Sequence, residues 1–281
     1  MTAMTDAAAE TPIKRRPRSG GTGLGRFYAE HQRLILGVAG ILMVLVPWEL
    51  VVRFGLVKEI LISSPTAVAE SFVTEFARGD IWRHIWASGR VWLVGYGLAS
   101  VLGILLGLAA GWYRRAGLIT VPWLNFVYAA PDLAFVPIFI LWFGLGFTFK
   151  VWVVFLGVII YVSLNTIAGV QATENRYLAV ARTYGASRLM VFRSIVLPGS
   201  IPYIMTGLRI ASGRAIVGVV GAEFISSNEG LGFLISISGT TLQTSRVFVG
   251  IILLAAFGVI LNEILGRIER RFEAWRREVH A

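Results

Sequence analysis

Residues 91–113 read VWLVGYGLASVLGILLGLAAGWY, 23 residues without a single charge. A helix needs about 20 consecutive apolar residues to cross the ~30 Å hydrocarbon core of a bilayer, so this stretch makes lipid the solvent of the fold. It also places Gly95, Ala99, Gly103, Gly107 and Gly111 at a strict spacing of four. Small residues at that interval line one helix face and let a neighbouring helix approach closely. Packing inside the same domain is the ordinary use of such a face; a seam between two copies is the alternative.

The whole composition agrees. The chain has 281 residues, 56% of them hydrophobic and 15% charged, and a mean hydropathy of +0.72. In soluble domains about a quarter of the residues are charged. The net charge of +10 would suggest nucleic acid in a soluble protein, but in a membrane chain it reads as the basic cytoplasmic edge, and no nucleic-acid partner is expected. There is no cysteine, which excludes disulfides, iron–sulfur clusters and thiolate zinc sites. His31, His84 and His280 are scattered, so no metal site is expected.

Apolar stretches recur on both sides of 91–113. Residues 1–33 are polar and carry six basic residues from Lys14 to Arg33, a composition that predicts a disordered basic cytoplasmic tail. Its run of glycines, 20–25, lacks a preceding strand and a Lys-Ser/Thr ending, and reads as a linker rather than a phosphate loop. The run that follows has no cleavage site after it and is a retained first span over 34–54, with Glu49 and Arg53 at the far interface. Ser64 and Pro65 supply a capping hydroxyl and a first-turn proline before Val68, Phe72 and Phe76, predicting an amphipathic helix outside the bilayer core. A second amphipathic helix, with Ile81, Trp82, Ile85 and Trp86, lies at the headgroup level and leads into span two.

Residues 116–149 carry one charge, Asp132, and are too long for one straight span. Pro122, Pro131 and Pro137 divide them into an interfacial piece and a tilted or interrupted span ending near Phe143, or a re-entrant pair. Span four covers 151–170. Residues 171–196 are polar and arginine-rich, a long extramembrane loop. Span five covers 198–222, a Gly-, Ser- and Thr-rich segment 223–246, span six 247–265, and 266–281 are a basic cytoplasmic tail. The expected fold is therefore all-α, a six-helix transmembrane domain over 34–265. With six crossings, most of the 26 basic residues fall on the side of the two termini, which predicts both ends in the cytoplasm.

The chain brings no nucleotide chemistry of its own. A phosphate-cradling loop ends in Gly-Lys-Ser/Thr, and Lys14, Lys58 and Lys150 follow Ile13, Val57 and Phe149. No nucleophile with a base stands out, and no paired carboxylates lie at helical spacing in a span, which argues against an enzyme.

The loop between spans four and five is the most specific feature. It contains Tyr177-Leu178-Ala179-Val180-Ala181-Arg182-Thr183-Tyr184-Gly185-Ala186-Ser187 and then Ile195-Val196-Leu197-Pro198. Leu178, Ala179 and Ala181 give a short helix a small apolar face for another protein's groove, Gly185 can adopt the positive φ that ends a helix, and Pro198 can start the next span. The spacing from Gly185 to Ile195 and to Leu197-Pro198 resembles the cytoplasmic coupling motif of ABC importer permeases, Glu-Ala-Ala, three residues, Gly, nine residues, Ile, one residue, Leu-Pro. Ala179 stands where that pattern has Glu; Arg176, Arg182 and Arg188 are candidates to supply the missing grip. The resemblance runs from about residue 63 to the end. Residues 137–146 (PIFILWFGLG) and 221–233 (GAEFISSNEGLGF) look like the subgroup serving nitrate, sulfonates and taurine. It implies a bacterial inner-membrane homodimer, two cytoplasmic ATPase subunits that bind the ATP and magnesium, and an extracytoplasmic solute-binding protein.

Charges inside spans are costly, about 2.5–3.5 kcal/mol each at a helix centre, and mark candidate function. Asp132, Arg209 and Arg214 are the candidates for the translocation path, with pairing among them or with a second copy as the alternative. Glu223, at the outer end of span five, is expected to face the binding protein or water. An ion-coupled secondary transporter is the competing class; it would show inverted repeats, which the two halves do not. The solute is left open by the sequence.

Overall fold

The computed structural model describes residues 23–173 and 175–278, and every regular element among them is helical. The chain divides into two units, Met1–Leu50 and Val51–Ala281. Helix α1 (Gly23–Arg53), which contains Pro47, makes up the described part of the first and ends three residues into the second. The expected tail lies outside the described residues up to position 22, and from Gly23 the backbone is already helical rather than disordered. Once an apolar helix exists, each added residue gains one hydrogen bond, so a polar stretch can prolong it beyond the bilayer core.

The second unit opens with α2 (Pro65–Arg78), where the Ser64 hydroxyl accepts the Ala67 N–H at 3.2 Å and Gly79 ends the helix at φ +79°. α3 (Ile81–Trp112) absorbs both the expected headgroup-level helix and span two in one rod of 32 residues, about 48 Å long. Nothing between Trp86 and Val91 breaks the helix. α6 (Phe147–Gln171) and α9 (Leu197–Ile225) pack with α3 around Val91, Trp92, Ala99, Val154, Val158, Val162, Ala211, Ala215 and Val219.

The glycine stripe sets this packing. A Cβ on Gly95 would lie 2.8 Å from Val154, on Gly103 3.1 Å from Val162, on Gly107 2.5 Å from Thr166 and on Gly111 2.7 Å from Val170. The numbers rise together, so α3 and α6 run parallel, while Gly169 meets Tyr203 and Gly218 meets Val154, so α9 runs antiparallel. Parallel neighbours require the intervening chain to return once across the bundle. It does so as α4 (Arg114–Ala129), a 3₁₀ turn (Asp132–Phe135) and α5 (Val136–Phe143), bent by 95° at the break. Of the two expectations for this region, the broken span is the one that fits the parallel pair.

Two polar segments are more ordered than their composition suggests. In the expected loop, α7 (Asn175–Thr183) ends in a Schellman motif: Gly185 takes φ +72°, and the Ala186 N–H reaches back to the Ala181 carbonyl at 3.0 Å. Ser187 then caps α8 (Arg188–Val191), and a π turn over Phe192–Val196 carries it into α9. Pro198 stands in the first turn of α9, and the helical rod runs on unbroken over Arg188–Ile225, 38 residues. The wide turn, with the Leu197 N–H on the Phe192 carbonyl, accommodates a proline that has no donor of its own. The Gly-, Ser- and Thr-rich segment likewise holds α10 (Leu231–Thr240), ten residues and too short to cross a bilayer. α11 (Thr244–Glu278) contains span six and continues as helix through the described part of the expected tail.

Candidate functional site

The motif-bearing end of the bundle is built on a small apolar cluster. Val170, Val191 and Val196 are buried there, with Trp112, Ala181, Ala186, Phe192 and Ile195 packed around them, and the Trp112 and Phe192 rings lie 5.3 Å apart. Ala181, expected on the outward face of α7, thus faces the bundle together with Ala186 and Ile195. A helix seated on a core must turn its small residues inward to come close. The outward face is formed instead by the exposed side chains of Tyr177, Ala179, Val180 and Tyr184, continued by Leu189 and Met190 on α8. Tyr184 is 87% exposed. The side chains of Leu178 and Arg182 lie outside the described residues. Leu197 and Pro198 are half-buried where the π turn meets α9. The outward aromatics went unnoticed in the sequence, although a tyrosine directly before the helix-ending Gly185 was the available signal.

The intramembrane charges do not form one cluster. Arg209 pairs with Glu269, Nη1 to Oε2 at 3.2 Å, and donates from Nε to the Asn262 Oδ1 at 2.8 Å, both on α11. Glu269 lies four residues past the expected end of span six, so a tail residue is the partner. Arg214 lies over the Tyr161 ring, 4.9 Å from its centroid, and Tyr161 in turn meets Tyr128 edge-on at 5.4 Å. Asp132 sits in the 3₁₀ turn after the break, its Oδ2 beside Gly157, and near enough to Arg214 for their charges to interact. Asp132, Arg214, Tyr128 and Tyr161 therefore converge from the break, α9, α4 and α6.

Glu223 departs from its expected role. It is 1% exposed, not at an interface, and accepts the Ser88 hydroxyl at 2.8 and 3.0 Å and the Gly232 N–H at 2.7 Å. Ser88 also accepts the Leu231 N–H at 2.8 Å, and the His84 Nδ1 accepts the Gly230 N–H at 3.1 Å. A carboxylate, a hydroxyl and an imidazole thus satisfy the free N–H groups at the start of α10, where negative charge is also favoured by the helix dipole. A Cβ at Gly230 would meet the Glu223 carboxyl, and at Gly232 it would come within 2.9 Å of the Glu223 Cβ. Gly230 and Gly232 of GAEFISSNEGLGF are the ones that let this carboxylate in.

These features can be set beside known proteins. The family model described as "binding-protein-dependent transport system inner membrane component" matches residues 99–274. The taurine transport system permease protein TauC of Escherichia coli (strain K12) is 30% identical, over 88% of this chain and 92% of its own length. The putative aliphatic sulfonates transport permease proteins SsuC of Escherichia coli (strain K12) and Bacillus subtilis (strain 168) are 32% and 30% identical over 83% and 82% of this chain, and over 89% and 83% of their own. Among solved structures, an inward-facing MetNI methionine ABC transporter matches with a TM-score of 0.57 at 16% identity, covering 68% of this chain and 95% of that one. An amino acid ABC transporter matches at 0.54 and 20%, covering 72% and 96%. These structural likenesses carry the fold, an ABC importer permease fold of helices. The sequence matches carry the membership: this chain belongs to the binding-protein-dependent transport system inner membrane components, the permease subunits of ABC importers.

Proposed function

We propose that this chain is the inner-membrane permease of an ATP-driven importer for a small organic anion of the sulfonate or taurine kind. The kinship with TauC and SsuC supports that solute class. Two copies form the path, a binding protein delivers solute outside, and two ATPase subunits, which hold the ATP and magnesium, dock inside on α7 around Leu178, Ala179, Arg182 and Gly185. Both termini then lie in the cytoplasm. Asp132 and Arg214, with Tyr128 and Tyr161, line the path; Arg209 braces α9 against α11.

The observation that carries this reading is mechanical. α7 is held by the αL Gly185 against the apolar cluster at Val170, Val191 and Val196, and α8 continues through the π turn into α9 as one rod over Arg188–Ile225. A push on α7 therefore passes the hydrogen-bonded turn at 184–187 and then reaches Arg214 through continuous helix. Closure of the ATPases moves α7 and rocks the rods so that the path opens outward, and hydrolysis returns it inward.

Gly185→Val tests the coupling. At φ +72° a β-branched residue is strained, by roughly 1–3 kcal/mol, which disturbs the turn without touching the spans. The complex should assemble in proteoliposomes yet lose ATP hydrolysis stimulated by the binding protein. Normal stimulation would show that this turn does not transmit the stroke.

A further inference from the structure

We propose that the end of the bundle opposite α7 carries a binding site for a small organic oxyanion, a sulfonate or carboxylate of a few carbons, between α3, the start of α6 and residues 226–229. The site rests on the importer reading only for the role of the anion as solute in transit. A cavity of about 450 Å³ lies there, lined among others by Arg83, Arg90, Lys150, Ser227, Asn228 and Glu229. That volume falls in the lower part of the ~300–1,000 Å³ range of ligand pockets.

The charges in it do not cancel. Glu229 is shared by two guanidiniums, Arg83 Nε at 3.2 Å and Arg90 Nη2 at 3.1 Å. The third cation, Lys150, is only 7% exposed, and its ammonium donates to the Ser227 hydroxyl at 2.6 Å; no carboxylate among the described residues comes within ion-pair distance of it. Ser227 is itself tied to the backbone of Glu229. An ammonium has three donors, and one is used. Lys150 is also the fourth residue of α6, where the helix dipole disfavours a cation. A buried cation with two of its three donors unused in that position, offset only by the more distant Glu223 and Glu229 carboxylates, is an electrostatic debt that a bound anion removes.

The shape selects the kind of partner. A side chain so covered is out of reach of a docking protein's surface, but within reach of a small solute entering the cavity. Phe147 and Val91 add apolar wall for a short alkyl chain, with the Arg90 guanidinium 5.7 Å from the Phe147 ring centroid.

The test titrates the full-length permease, in phosphatidylcholine nanodiscs without ATPase or binding protein, with ethanesulfonate by calorimetry, using choline as the cation control. Saturable binding of ethanesulfonate and none of choline is expected. Asn228→Asp, a near-isosteric change on an exposed side chain that leaves the packing alone, and Lys150→Gln should each weaken binding about tenfold or more, the scale of a charge-assisted hydrogen bond. No binding by the parent chain, or undiminished affinity in Asn228→Asp, overturns the site. Nanodiscs containing phosphatidylglycerol separate the sources of the oxyanion: competition that grows with this lipid identifies a headgroup as occupant, and indifference identifies the soluble solute. Failure here leaves the importer reading standing, whereas a complex whose ATPase ignores its binding protein sinks that reading and leaves this site.

Discussion

Glu223 shows how one buried residue organises one end of the bundle. Its carboxylate holds Ser88 of α3 and the first turn of α10 while sitting on α9, so three elements meet on one side chain. Glu223→Ala orphans the Ser88 hydroxyl and the Gly232 N–H together and should destabilise the protein by about 2–4 kcal/mol, since each buried group left unpaired costs about 1–3. Glu223→Gln keeps one acceptor oxygen and should cost less. Gly230→Ala should be as harmful as the truncation, because φ is +121° and the added Cβ meets the carboxyl. Thermal unfolding in detergent ranks the three; a Gly230→Ala protein that melts like the parent would mean that the close approach does not matter. The sequence placed Glu223 near the end of a span correctly, but burial of a carboxylate depends on partners from residues 88 and 232, which no local pattern announces.

Among the elements, α3 and α6 share the most extensive packing, and the glycine spacing along it can be tested position by position. Gly107→Ala puts a Cβ 2.5 Å from the Thr166 Cβ and 2.8 Å from the Ser163 carbonyl, backbone that cannot rotate away. It should cost about 1–3 kcal/mol as the rods are forced apart. Gly97→Ala, in the same helix but with nothing within 4 Å, should be neutral or stabilising by up to about 1 kcal/mol. Equal melting temperatures for the two variants would show that the α3–α6 contact is not tight in the bilayer. The stripe was legible because a four-residue spacing is a property of one helix. That it meets α6 rather than another copy was not, since both partners present the same kind of surface.

At the scale of the whole molecule, α9 and α11 are joined along their middle turns by Arg209, Asn262 and Glu269. Arg209 is 45% exposed and Glu269 15%, so the pair is partly screened, and a double-mutant cycle with Arg209→Gln and Glu269→Gln should give a coupling of about 0.5–1 kcal/mol. In the assembled importer, breaking the brace should raise ATP hydrolysis in the absence of binding protein, because the rods lose a tie that holds the resting arrangement. A coupling energy indistinguishable from zero, with basal hydrolysis unchanged, would reduce the pair to a surface contact. The sequence groups Arg209 with Asp132 and Arg214 on the strength of its position in a span alone; only the continuation of α11 past residue 265 supplies its ion-pair partner, Glu269.

Lipid as solvent and the helix-ending turn at Gly185 follow from one-dimensional facts: uninterrupted apolar runs, and a glycine at fixed distance from a Leu-Pro pair. Each reflects physics that acts within one segment, the transfer of side chains to hydrocarbon or the φ preference of a single residue. The joining of α8 to α9 through a π turn, the existence of α10, and the inward orientation of Ala181 belong to the tertiary structure. There the free N–H groups at the start of α10 find His84 and Ser88 more than a hundred residues away, and the bent span, broken at Pro131, is placed by the two parallel helices it joins.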